Sequence, residues 1–132
     1  MSELLIMLVL MFLCHLLADY PLQGWLAQAK NKSYWKETKT PHDWAMALIC
    51  HAMMWGIMIY LPIFFMGEID FGGWVEVLFW ITLPINIVLH IFIDNLKANK
   101  KKIDLITDQC LHFFQITMTW LLYVLLLCIF RR

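Results

Sequence analysis

A chain of 132 residues that is 62% hydrophobic and 15% charged is more apolar than a soluble domain. Ten basic and ten acidic residues leave no net charge at pH 7, so a nucleic-acid partner is not expected. Cys14, Cys50, Cys110 and Cys128 are scattered without a Cys-x-x-Cys pair, which argues against a disulfide framework or a zinc ribbon and for packing roles.

A membrane-spanning helix needs about 20 mostly apolar residues. Four stretches approach this: Leu4–Ala18, Trp44–Met66, Phe71–Ile93 and Gln109–Phe130. The expectation is an all-α, integral-membrane four-helix bundle in a single domain, residues 1–132, with helices over about 3–19, 41–66, 71–96 and 105–130. The start Met-Ser-Glu has no basic region and no small-residue cleavage site follows, so the first helix is expected to remain rather than act as a signal peptide.

After the first helix comes a polar loop from Tyr20 to Pro41. Leu22, Trp25, Leu26 and Ala29 recur in it at helical spacing, and Lys30 and Lys32 follow. This pattern predicts a short amphipathic helix in the membrane interface, serving as an aromatic anchor or as a lid over a site. Thr40-Pro41-His42-Asp43 then reads as a helix start, with Thr40 as N-cap, proline in the first turn and Asp43 favourable to the helix dipole. Pro84 falls within the third helix, where it should kink the chain and free the Trp80 carbonyl. Asp104 is placed to cap the fourth helix.

Lys30, Lys32, Lys36 and Lys39 in the first loop, and Lys97, Lys100, Lys101 and Lys102 after the third helix, mark both long loops as cytoplasmic. The short turn between the second and third helices carries Glu68 and Asp70 and no basic residue. Both termini are then expected on the non-cytoplasmic side, against the weaker opposing signal of Arg131 and Arg132.

Alternating helix directions bring one kind of residue to one leaflet. His15 and Asp19 end the first helix there, and His90 and Asp94 end the third. Asp108 and His112 begin the fourth, and His51 lies about 15 Å along the second. The three His/Asp pairs at i, i+4 each occupy one helix face. Asp43 and His51 are two turns apart on one face, and His42 stands aside at the helix start. The stripes continue inward as Thr82 and Asn86 on the third helix and as Gln115 and Thr119 on the fourth. Polar stripes on apolar helices face the bundle interior, so four of them make a funnel open to the cytoplasm. A weak internal repeat of His-x-x-x-Asp, basic loop, Asp and His accompanies this order, though the spacings differ between the halves.

Neutral imidazoles and carboxylates suit zinc first, then manganese or iron. The candidate metal ligands are His15, Asp19, His51, His90, Asp94, Asp108 and His112. Seven exceed the four that one tetrahedral ion takes. Either two ions share the site, or some carboxylates orient the histidines from behind. A set of buried His–Asp hydrogen bonds without a metal is the plainer alternative.

The segments His15-Leu-Leu-Ala-Asp19-Tyr20-Pro-Leu-Gln23, Lys30-Asn31-Lys32, His51, His90-Ile-Phe-Ile-Asp94-Asn-Leu-Lys97 and Asp108-Gln109-Cys-Leu-His112 resemble a family of small bacterial and phage inner-membrane proteins, the domain of unknown function 3307. The resemblance covers nearly the whole chain. It implies that His15, Asp19, Gln23, His51, His90, Asp94, Lys97, Asp108, Gln109 and His112 form one constellation. A looser architectural likeness is to membrane-bound metal-dependent hydrolases, which does not establish function.

The first functional expectation is therefore a metal-dependent hydrolase acting on a lipid, phosphoester or membrane-associated substrate. Asp19 or Asp108 would be general base, and Lys97, one turn beyond Asp94, would draw an anion. The Lys100–Lys102 run has a topological and lipid-attracting role. The second is a carrier for protons or metal ions, which would gain if Glu76 extended the polar lining outward. The third is a non-catalytic phage or host membrane partner, with a bis-histidine haem site as a lesser variant. Membrane lipids are expected neighbours, and a homo-oligomer is compatible with all three.

Overall fold

The computed structural model describes residues 2–66 and 73–130. Glu68, Asp70, Phe71, Arg131 and Arg132, used above for topology and helix limits, lie outside the described residues. The chain is all-α. Four main helices are α1 (Ser2–Asp19), α3 (Asp43–Met66), α4 (Trp74–Ala98) and α5 (Leu105–Phe130). Between the first two lie one turn of α-helix, α2 (Leu26–Ala29), and a 3-10 turn (Lys32–Trp35).

Three of the helices are long and apolar enough to cross a membrane, over Asp43–Met66, Phe79–Ala98 and Leu105–Ile129. Helix α1 has 18 residues, about 27 Å at 1.5 Å per residue. Each main helix packs on two neighbours: α1 on α3, α3 on α4, α4 on α5, and α5 back on α1. The closed ring puts Met7, Met11, Trp55, Ile59, Ile63 and Ile116 in a buried core. Large apolar side chains such as Val9, Ile57, Val88 and Phe114 remain exposed outside. At Gly56 the helices α3 and α4 come close: an added Cβ would lie 2.7 Å from Ile87 Cγ1.

The helix starts follow local chemistry. The Asp104 carboxylate accepts the Thr107 backbone N–H at 2.8 Å, so the predicted cap forms. That bond holds the Asp104 carboxyl below its usual range. At α3 the helix begins at Asp43, later than the expected start at Pro41: the Thr40 backbone carbonyl, not its hydroxyl, accepts the Asp43 N–H at 3.2 Å, and Asp43 is exposed. Pro84 and Pro62 both sit inside continuous helices.

The first loop departs from expectation. Pro21 and Gly24, the latter at φ +49°, turn the chain before an amphipathic helix can propagate, so α2 is only four residues long. The expected apolar stripe splits: Leu22 and Trp25 are exposed while Ala29 is fully buried. Trp25 forms edge contacts with Tyr34 and Trp35, and Trp35 Nε1 donates to the Ala29 carbonyl at 2.6 Å. The segment is thus a compact cap packed on α3 rather than one interfacial helix.

Candidate functional site

The ends of α1 and α4, the start of α5 and the middle of α3 converge beneath that cap. His15, His51, His90 and His112 are fully buried, as is Asp108, and Asp94 is 1% exposed. Asp19 lies at the edge, its side chain 7% exposed.

The shared-face pairs read from the sequence are present but long: 3.8 Å for His15–Asp19, 3.9 Å for His90–Asp94 and 3.6 Å for His112–Asp108. The shortest His–Asp contacts instead run between helices. His51 Nε2 is 3.2 Å from Asp19 Oδ1 and 3.4 Å from Asp94 Oδ2, and His112 Nε2 is 3.5 Å from Asp94 Oδ1. Spacing along one helix places these groups at the same level. The ring of helices then decides which of them meet. Asp43 and His42 are exposed and take no part in these contacts.

Two overlapping groups have ligand atoms within 4.8 Å of one another: Asp19, His51 and His90, and His90, Asp94 and His112. His90 belongs to both. In the first group His90 Nε2 is 3.2 Å from His51 Nε2, equal to the His51–Asp19 separation. Ligands on a tetrahedral zinc at about 2.0–2.1 Å sit roughly 3.3 Å apart, so these atoms already have the spacing of a coordination shell. Their hydrogen bonding is also deficient. Asp19 Oδ1, Asp108 Oδ1 and His112 Nε2 are buried without a hydrogen-bond partner, although each lies at ion-pair distance from a neighbour. Unpaired buried polar atoms are costly, and a cation in either group would give one of them a partner, Asp19 in the first or His112 in the second.

His15 stands behind this set. Trp55 Nε1 donates to His15 Nδ1 at 2.7 Å, so the His15 proton resides on Nε2, where it faces Gln109 Oε1 at 3.1 Å. With both ring nitrogens engaged, His15 falls outside the two ligand groups and holds Gln109. The Gln109 amide in turn donates to Asp19 Oδ2 at 3.3 Å and Asp108 Oδ2 at 3.1 Å. Trp55 also stacks on His90, with ring centroids 4.1 Å apart and planes 20° apart. Asp108 likewise lies outside both groups and contacts His112 and Lys97.

Two lysines close the site. Lys97 Nζ contacts Asp108 Oδ2 at 2.5 Å, and Lys30 Nζ, from the end of α2, reaches across to Asp94 Oδ2 at the same distance. The Gln23 carboxamide satisfies its neighbours when its oxygen faces Lys30 Nζ at 2.7 Å and His51 Nε2 at 2.9 Å, and its NH2 donates to the Asp19 carbonyl at 3.2 Å. Asp19, Tyr20, Gln23, Lys30, Lys97 and Gln109 line a cavity of about 310 Å³ that leads to the cluster. The exposed Lys100–Lys102 run takes no part in lining it.

Deeper in the bundle lies a second polar network. Asn86 Nδ2 donates to the Tyr60 hydroxyl at 2.7 Å and to Thr119 Oγ1 at 3.0 Å, and Gln115 Nε2 donates to Asn86 Oδ1 at 2.8 Å. The Tyr60 hydroxyl donates to Thr82 Oγ1 at 2.9 Å. The predicted stripes thus do continue inward. The Glu76 carboxylate accepts from the exposed Trp80 at 3.3 Å.

Sequence reasoning missed Lys30, Trp55 and Tyr60 as participants. Trp55 carried a signal, since it sits one turn from His51 on the same face. Lys30 lies in a segment that carries the family resemblance, but its contact with Asp94 depends on how the loop folds back.

No curated protein and no solved structure matches the chain. Residues 7–129 match the family described as Protein of unknown function (DUF3307), a span that holds every histidine and aspartate of the cluster. The chain belongs to the DUF3307 family.

Proposed function

We propose that this is an integral-membrane metal protein whose His/Asp cluster holds one or two divalent cations, zinc first and manganese or iron next. In this reading it is a hydrolase for a lipid, phosphoester or membrane-associated substrate. The observation that carries the reading is the pair of buried ligand groups sharing His90, at coordination spacing and with acceptor atoms left over. The exposed apolar belt supports membrane embedding, with α1 as a fourth span. The lysine-rich loops support a bacterial inner-membrane protein with the site at the cytoplasmic leaflet and both termini on the other side.

When bound, the ion would supply Lewis-acid polarisation and water activation near neutral pH. Asp108, outside both ligand groups, presents a carboxylate oxygen without a hydrogen-bond partner that can take a proton as general base, and Asp19 can do so where it does not ligate the ion. Gln109 bridges the two carboxylates and fixes their separation. Burial excludes bulk water from every side but the cavity mouth.

The inward polar network of Asn86, Gln115 and Thr119 favours a second reading, transport of protons or metal ions along the bundle. Flux into liposomes carrying purified protein tests it. Elemental analysis of detergent-purified protein tests the first reading. About one or two equivalents of metal are expected in the wild type, and none in a folded His90→Ala variant. A folded wild type that stays metal-free after resupply would refute it.

A further inference from the structure

We infer that Lys30 and Lys97 form a seat for a phosphate group in the cavity above the cluster, and that metal loading frees Lys30 to serve it. This rests on the metal reading above.

The argument begins with charge. Asp19, Asp94 and Asp108 face Lys30 and Lys97, so the carboxylates outnumber the ammonium groups by one. One divalent ion turns this to a net charge of one positive, and two ions to three positive. An uncompensated positive charge in a largely buried site favours an anion.

Position comes next. Lys30 and Lys97 line the same cavity, beside Gln23 and Gln109. Its volume of about 310 Å³ is at the lower end of the range for small-molecule sites, roughly 300–1,000 Å³. That suits a headgroup-sized anion. Lys30 has a side chain only 10% exposed and holds Asp94 Oδ2, and Asp94 belongs to the second ligand group. An ion on Asp94 would compete with the Lys30 ammonium for the carboxylate and repel it. Lys30 would keep its other acceptor, the Gln23 amide oxygen at 2.7 Å, which belongs to the cavity wall. It therefore moves toward the cavity rather than away from the site. Lys97 keeps Asp108, and an ammonium with three donors has two more to offer. Lysine is a common point-charge partner of phosphate.

The order is thus metal first, phosphate second. Each also strengthens the other, since a coupling between two ligands is reciprocal. The source of the phosphate is either a lipid headgroup at the leaflet or a soluble phosphate.

The test uses the full chain in a phosphate-free maltoside detergent. Binding of radiolabelled inorganic phosphate is measured on chelator-stripped and metal-loaded protein, beside metal content, for wild type, Lys30→Met, Lys30→Arg and Lys97→Met. Loaded wild type is expected to bind phosphate at least tenfold more tightly than stripped protein. Lys30→Met and Lys97→Met should keep the metal and lose at least tenfold in phosphate affinity, and Lys30→Arg should recover part of it. Competition by phosphatidic acid in the micelle identifies a lipid headgroup as the source, and its failure to compete identifies soluble phosphate. Metal-loaded lysine variants that bind phosphate as the wild type does would overturn the seat and leave the metal reading intact. Wild type that takes up no metal would overturn both.

Discussion

Asp94 is the residue whose two roles can be pulled apart. Its carboxylate pairs with the buried Lys30 ammonium and also belongs to a ligand group with His90 and His112. Asp94→Asn keeps the shape and removes the charge. It leaves a lysine side chain that is 10% exposed without its counter-charge. Removing one partner of a buried pair costs about 3–5 kcal/mol, and the Gln23 oxygen and the nearby cavity place this case near 3 kcal/mol. Replacing both partners by neutral groups of similar volume is far cheaper, so Lys30→Met/Asp94→Asn should return to within about 1 kcal/mol of metal-free wild type. Metal binding should not return with it: both variants should lose at least tenfold in affinity, the scale set by disturbing even supporting contacts of a metal ligand. Chemical denaturation of metal-stripped protein in detergent, followed by tryptophan emission, gives the first quantity, and elemental analysis gives the second. A double variant as unstable as Asp94→Asn would refute the ion pair. A double variant with wild-type metal content would refute Asp94 as a ligand.

Other substitutions separate the parts of the bundle. His90→Ala touches both ligand groups and should empty the site, whereas His112→Ala should leave Asp19, His51 and His90 able to retain about one equivalent, read by elemental analysis. Asn86→Leu removes partners of Tyr60, Thr119 and Gln115 and should lower unfolding stability by about 1–3 kcal/mol without changing metal content. Gly56→Ala forces a methyl group to 2.7 Å from Ile87 Cγ1 and should cost about 1–3 kcal/mol in the same denaturation assay, with partial relief from a paired Ile87→Val.

The extents of the main helices were legible because apolar length and the Asp104 cap are local properties. The converging cluster was legible as well: a His and an Asp at i, i+4 must share a face, and alternating helices must bring those faces to one end. What spacing could not supply was the partner across the gap. His51 meets Asp19 and Asp94 more closely than any histidine meets the aspartate of its own helix. The same limit hid the engagement of both His15 nitrogens, which depends on Trp55 from α3 and Gln109 from α5. In the first loop a helical recurrence of four apolar residues was outweighed by Pro21 and Gly24, whose backbone preferences end the pattern before it forms.

The two lysine–aspartate pairs differ in how far apart their members lie along the chain. Lys97 and Asp108 are eleven residues apart, whereas Lys30 and Asp94 are separated by sixty-four. A hairpin of α4 and α5 can therefore neutralise one of its carboxylates by itself. The other stays uncompensated until the earlier hairpin has docked and its loop has folded over the end of the bundle. The cap thus ties the charge balance to completeness: Asp94 finds its ammonium partner only when the two halves of the chain are joined.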